Sequence, residues 1–326
     1  MRVCIYGTVF NNVQYVEESI KSVFNPRYDI VVVDSYSTDG TWEKLLEFRK
    51  EYNLTLYRYK SSRGLGRHIA LYKCPEGSMT AYFDLDTIYL AAFHRIIEYA
   101  ENIDPVYAYG TLVGRREYIL SRGGWKDLMV GEDIDFFVRV GFKVSFPIPL
   151  GLNAPAGLKL HAREKRYAKG LLEYVKRIVK GHLDYYYSRG YTPPQLFIFR
   201  IKRGILLSPM FTLLYFIKGS NRYFKNFSNE AGFEIMLLSK MRNPREIGID
   251  DALFHVGVST ETVKMLGGVR EIDDIVLNRV GKAYRVSLKL SMLKIVYFKS
   301  VNVIPYAEGW FRGLFNKIES IDVVEP

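Results

Sequence analysis

Ile30-Val31-Val32-Val33-Asp34-Ser35-Tyr36-Ser37-Thr38-Asp39-Gly40-Thr41 is the stretch that decides the fold. Four β-branched residues in a row suit a strand buried on both faces, as in a parallel sheet. Asp34 follows the run directly. Ser37 to Thr41 then reads as a turn and helix start, with Trp42 to Glu51 as the helix. Working outward, Val3 to Val9 and Leu54 to Tyr59 read as neighbouring strands. Met79 to Phe83 reads as a fourth, ending in Asp84-Leu85-Asp86. Helix-compatible stretches lie between them at Val13 to Phe24 and Leu65 to Tyr72. Alternation at this spacing predicts an α/β fold, a mostly parallel sheet with helices on both faces.

Beyond this the pattern changes. Ala91 to Glu101 reads as a helix and Val106 to Arg116 as one or two strands. Glu132 to Val140 reads as a helix with an acidic first turn. Phe142 to Phe146 reads as a strand stopped by Pro147 and Pro149. A boundary is expected near residues 150–165, giving domains 1–165 and 166–326. Arg166 to Tyr187 is a basic, amphipathic helix candidate, and Pro193-Pro194 restarts the chain. Gln195 to Ile217 is strongly apolar, but its longest uncharged stretch, Gly204 to Ile217, is shorter than the roughly 20 residues of a bilayer span. Its two destinations are a membrane interface and a buried or oligomeric contact. A mixed α/β tail follows, alternating from Tyr284 to Phe298.

The composition, 48% apolar and 25% charged over 326 residues, excludes disordered and collagen-like chains. The net charge of +11 is local. Lys159 to Arg245 holds 18 Lys and Arg against 5 Asp and Glu, while the rest of the chain has 28 against 30. Such a block predicts an anionic partner: a membrane surface, nucleic acid or a phosphorylated substrate. Its alternative is a solvated basic face. Cys4 and Cys74 are the only cysteines. They make neither a disulfide framework nor a zinc motif, so a reducing cytosol is expected. The start opens straight into a strand pattern without the marks of a secretory leader, so the expected location is cytoplasmic.

Several residues carry chemistry. Asp34 and Asp84 follow strands, and in a parallel sheet ligands bind beyond the strands' carboxyl ends. Asp84 and Asp86, one residue apart on a turn, suit a hard divalent cation that also carries a diphosphate. Asp133-Ile134-Asp135 repeats the spacing elsewhere. In Ser62-Arg63-Gly64-Leu65-Gly66-Arg67-His68, glycines before a helix and two arginines suit a phosphate. The alternative is a Gly-rich turn with solvated arginines. Neither a Rossmann fingerprint, since Ile69 stands at the third glycine, nor a P-loop is present. Gly123-Gly124-Trp125 precedes Glu132-Asp133, a carboxylate pair suited either to removing a proton from a hydroxyl or to capping a helix. His161 follows with Arg163 nearby; His94, His182 and His255 have no suggestive neighbours.

Taken in order, these motifs resemble the family 2 inverting glycosyltransferases with the A-type glycosyltransferase fold. The opening strand with Asn11-Asn12, the Ile30–Thr41 signature, Gly64 to Ala70, Tyr82-Phe83-Asp84-Leu85-Asp86, and Gly123-Gly124-Trp125 with Glu132-Asp133 carry the likeness, over residues 1–165. Ser35 and Tyr36 stand where the family usually has Asp and Gly, and His68 where it has Asn. The resemblance implies a nucleotide-sugar donor held by Thr8, Asp34, Arg63, Arg67 and Asp84, with Asp34 on the nucleobase and Arg67 on phosphate. It implies Mn2+ or Mg2+ on Asp84, Asp86 and His161, an acceptor at Gly124 and Trp125, and Asp133 as the catalytic base with Glu132 beside it.

A base is needed by a hydroxyl acceptor and not by an already ionised lipid phosphate. The expected acceptor is therefore a glycan or lipid-linked glycan. An anionic membrane surface and a homo-oligomer are the further expected partners, and nucleic acid is not expected. Two other classes compete. A sugar nucleotidyltransferase would show a Gly-rich, basic loop after its first strand, which Gly7 to Asn12 lacks. A non-enzymatic membrane or nucleic-acid binding module would not need Asp84, Asp86 and Asp133 together.

Overall fold

The computed structural model describes residues 1–153, 170–198, 202–288, 293–303 and 317–325. Its elements run β1 (Val3–Val9), α1 (Val16–Val23), β2 (Tyr28–Asp34), α2 (Thr41–Glu47), β3 (Leu54–Arg58), α3 (Arg63–Lys73), β4 (Met79–Tyr82), β5 (Thr87–Tyr89), α4 (Ala92–Ala100), β6 (Val106–Tyr109), β7 (Thr111–Arg115), α5 (Arg116–Ser121), α6 (Glu132–Val140), β8 (Val144–Pro149) and β9 (Gly151–Asn153). They continue with α7 (Leu171–Ser188), α8 (Pro193–Ile198), α9 (Lys202–Lys218), α10 (Asn229–Ser239), β10 (His255–Ser259), α11 (Thr260–Met265), α12 (Val269–Val280), β11 (Ala283–Leu288), β12 (Leu293–Phe298) and β13 (Ile318–Val324). Two compact units result: Met1–Asp86 with Arg115–Gly141 and Gly157–Glu230, and Thr87–Gly114 with Phe142–Ala156 and Ala231–Pro326.

This division interleaves along the chain and departs from the expected 1–165 and 166–326. Hydrogen bonds tie the helices after residue 170 into the first unit. Asp184 accepts from the Met129 amide at 2.9 Å, and Asn221 Nδ2 donates to Asp135 at 3.0 Å.

The first unit bears out the β/α reading. Its strands lie in the order β3-β2-β1-β4, all parallel, with Ile30 paired to Ile5 on one side and Leu54 on the other. Ile30, Val32 and Val33 have no exposed surface, as a doubly covered strand requires. Helix α1 buries Val16, Ile20 and Val23, spaced i, i+4, i+7, so a single stripe faces the core. Full burial of each such side chain is worth about 2 kcal/mol. The register brings Val9 and Asp34 to one rim, together with the turn after Tyr82.

Helix α3 begins at Arg63, earlier than expected, because Ser62 caps it: its hydroxyl accepts from the Leu65 amide at 3.1 Å. Gly64 and Gly66 therefore lie inside the first turn and not in a phosphate loop. A Cβ on Gly64 would stand 2.0 Å from the Lys126 carbonyl, and one on Gly66 2.3 Å from Thr8 Oγ1. These glycines let α3 press directly onto backbone. Cys4 on β1 and Cys74 at the end of α3 form a disulfide. The sequence reading does not pair them; the fold brings their Cα atoms to 5.8 Å.

In the second unit β6 pairs antiparallel with β7 and parallel with β8. β8 runs through Pro147 instead of stopping there. The register slips between Ala108 and Tyr109, so Phe146 and Pro149 find partners while the proline is passed over. The alternating tail becomes β11 and β12 in an antiparallel sheet ordered β10-β12-β11-β13, around Val286, Val296 and Phe298.

Candidate active site

The candidate site lies wholly in the first unit, beyond the carboxyl ends of its strands. Two exits are stitched together there. The Asn11 amide donates to Ser37 Oγ (2.9 Å), the Asn12 amide to Thr41 Oγ1 (2.7 Å), and the Thr38 amide to Asn11 Oδ1 (2.8 Å). Asn12 Nδ2 also donates to the Leu85 carbonyl, and Ser19 Oγ donates to that of Asp84 at 3.0 Å. The turn carrying Asp84 and Asp86 is thus held by its backbone. Both residues stay partly exposed while Leu85 is buried.

Arg67 is the centre of the arrangement. It is buried, donates through Nη1 to Glu132 Oε1 at 3.0 Å and through Nη2 to Asp84. Its guanidinium lies 4.9 Å from the Tyr82 ring and 4.7 Å from Trp125. Burial favours loss of its proton, but attraction by Asp84 and Glu132 outweighs this and raises its pKa. Burial likewise raises the pKa of Glu132, against the pull of Arg63 and Arg67. Arg63 Nε stands 3.1 Å from Glu132 and its side chain is half exposed. Both arginines expected on phosphate meet carboxylates: Arg67 binds Asp84 and Glu132, and the half-exposed Arg63 pairs with Glu132.

Asp133 opens α6 and is exposed, its Oδ1 accepting from the Ile134 amide at 2.8 Å. It borders a cleft of about 290 Å³ lined by Arg63, Gly131, Glu132, Tyr185 and Arg189 among others. Arg189 stacks 3.6 Å over the Tyr185 ring and pairs with Glu230 at 2.7 Å. Tyr185 and Arg189 escaped the sequence reading; a tyrosine run ending a basic helix carries no recognised spacing. Asp135, the other carboxylate of the second acidic pair, faces inward. It meets Arg139 at 2.6 Å, Lys126 at 3.1 Å and Tyr223 at 3.0 Å.

Other expectations move. Asp34 is fully buried: its carboxylate accepts from the Ser37 amide (3.1 and 3.2 Å) and Arg58 Nε (3.0 Å), which makes it a turn anchor with no surface toward a nucleobase. Thr8 donates to the Val33 carbonyl at 2.9 Å and lies under α3. Trp125 is core. Its indole donates to Tyr6 Oη at 3.0 Å and stacks on Phe136 at 3.8 Å, so no indole face meets an acceptor. Gly124 adopts φ 54°, and a Cβ there would stand 2.5 Å from His68 Nδ1. The unusual His68 thus fills the space beside it. His161 lies outside the described residues.

Among the described residues no group of three or more His, Cys, Asp and Glu could hold a metal. Asp84 and Asp86 remain a two-carboxylate, hard-oxygen donor set at the surface. That fits a divalent cation completed by water and a diphosphate, not one caged by protein.

Residues 4–125 match the model of glycosyl transferase family 2. That part of the chain is similar to family 2 glycosyl transferases. The matched span contains the parallel strands β3-β2-β1-β4 and the helices between them. Among solved structures the chain is similar to TarS of S. aureus, with 19% identity over 43% of this chain and TM-score 0.38. It is also similar to the mannosyltransferase PcManGT of Pyrobaculum calidifontis, in complex with GDP-Man and Mn2+, with 18% identity over 65% of this chain, 72% of that chain and TM-score 0.39. This chain spans a third of the TarS chain (33%). No curated protein matches it.

Proposed function

We propose that this protein is a glycosyltransferase that moves a sugar from a nucleotide-sugar donor to a hydroxyl acceptor with inversion, in a metal-dependent reaction. One observation carries this reading. Arg67 holds both Asp84, on the turn after β4, and Glu132, beside Asp133 at the start of α6. A donor-side and an acceptor-side carboxylate motif, far apart in sequence, are clamped to one guanidinium.

Asp133 takes the proton from the acceptor hydroxyl as its oxygen attacks the anomeric carbon. Attack from the face opposite the diphosphate inverts that carbon. Asp84 and Asp86 would hold Mn2+ or Mg2+, which when bound offsets charge developing on the leaving diphosphate. Arg63, half exposed beside the cleft and paired with Glu132, would meet the donor phosphate. Tyr185 gives the acceptor sugar a ring to pack on, beside Asp133. The acceptor class is a glycan or lipid-linked glycan.

The test pairs two variants. Asp133→Asn should lose transfer by a factor of at least about 100, while a nucleotide sugar still raises its unfolding temperature. Asp86→Ala should lose metal-dependent turnover and keep the fold. Normal transfer by Asp133→Asn would show that this carboxylate only opens a helix.

A further inference from the structure

The helix α9 presents its outer face without a polar residue. Between residues 205 and 217 every exposed position is apolar: Ile205, Leu206, Met210, Leu213, Phe216 and Ile217, with Pro209 among them. Leu206, Phe216 and Ile217 are 80, 79 and 73% exposed. The opposite side is occupied, since Gly204 and Phe211 are buried and Phe211 packs with Tyr186, Tyr191 and Leu196. At 100° per residue the exposed positions form one continuous stripe over three turns. A surface helix of a globular protein carries charge there, and this one carries none. Something covers it.

The charge around the stripe says what. The helix begins at Lys202-Arg203 and ends at Lys218, and Arg222 and Lys225 follow. Residues 202–225 hold these five cations and no Asp or Glu. The neighbouring α7 exposes Leu171, Leu172 and Val175 in its first turns, beside exposed Glu173 and Lys176. A second copy of this chain would bring the same basic segment against itself, and like charges oppose that contact. An anionic bilayer offers both missing complements, a hydrocarbon boundary for the stripe and phosphate headgroups for the flanking cations. No helix among the described residues is long and apolar enough to cross a membrane, so the contact is with the surface.

We infer that the outer face of α9 docks on the surface of an anionic lipid bilayer, its apolar stripe in the interface and the exposed Lys218 and Lys225 that follow it on the headgroups. The inference rests on the helix face and the charge block, and holds whichever sugar the site transfers.

The test is co-sedimentation of the full chain with vesicles of phosphatidylcholine alone and of equal parts phosphatidylcholine and phosphatidylglycerol. The protein should pellet with the mixed vesicles and bind phosphatidylcholine about tenfold less. High salt should weaken the binding without abolishing it, because the apolar part is not screened. The double variant Leu206→Glu, Phe216→Glu should stay in the supernatant and unfold at the wild-type temperature, since both residues lie outside the core. Asp133→Asn should bind vesicles as the wild type does, so failure of docking and failure of the catalytic reading are seen separately. Wild-type protein left in the supernatant with mixed vesicles overturns the inference, as does wild-type binding by the double variant. So does a dimer, seen without lipid, that the double variant dissolves while the wild type ignores vesicles.

Discussion

Tyr36 has a backbone φ of 59°, the left-handed region where a side chain costs about 1 kcal/mol or more. Its ring is exposed and stacks on the Arg58 guanidinium at 5.1 Å, with Trp42 at 5.1 Å from the same group. That contact offsets part of the cost and places an aromatic surface beside the buried Asp34. A second single-residue feature sits in the other unit. His255 is buried, stacked on Tyr109 at 4.8 Å, and burial lowers its pKa to about 4. As pH falls, the unfolded chain takes up the proton near pH 6.5 and the folded chain only near 4. Stability is therefore full above pH 7, falls between about 6.5 and 4, and levels below, a swing of about 3 kcal/mol. His255→Phe keeps a ring in the stack and removes the titration. Urea unfolding should show the wild type losing about this much relative to the variant between pH 7 and pH 4. Parallel pH curves would exclude it.

Helix α3 is the element on which the site depends. It carries Arg63 and Arg67, ends at the disulfide, and is pressed onto the Lys126 carbonyl through Gly64. A methyl group there meets backbone, which cannot turn aside as a side chain can. Gly64→Ala should displace the first turn, loosen the Arg67 clamp, and cost about 3 kcal/mol or more. The checks are a lower unfolding temperature and a loss of turnover larger than the loss of stability predicts at the assay temperature. An unchanged melting curve would mean that α3 does not sit this close. Helix α6 depends on its own anchor. Asp135 is bound by Arg139, Lys126, Asn221 and Tyr223, which fixes the helix that begins with Glu132 and Asp133.

At the scale of the whole molecule, the disulfide links residues 70 positions apart and lies within the first unit. Closing a loop of that length removes unfolded-state entropy worth about 4 kcal/mol. Cys74→Ser, or thiol reductant with the wild type, should lower stability by roughly that amount, read by urea unfolding with and without reductant. Equal stability in both conditions would show that the thiols are not joined in solution.

The parallel strands and the acidic strand ends were legible in the chain alone. A β-branched run such as Ile30–Val33 has one stable use, and an aspartate after a strand lies on a predictable rim. The order of motifs also carried the likeness to glycosyl transferase family 2, because it is local chemistry written in sequence. The orientation of each side chain was not local. Asp34, Arg67 and Trp125 carry the motif yet turn inward, because a turn amide and Arg58 hold Asp34, the Asp84 and Glu132 carboxylates hold Arg67, and the Phe136 ring stacks on Trp125. Tyr185 and Arg189 line the cleft that Asp133 borders, although they come from a helix about fifty residues further on, and no spacing announces that. The interleaved units and the disulfide depend in the same way on contacts between distant segments, whose energy is set by packing in three dimensions and leaves no mark on neighbouring residues.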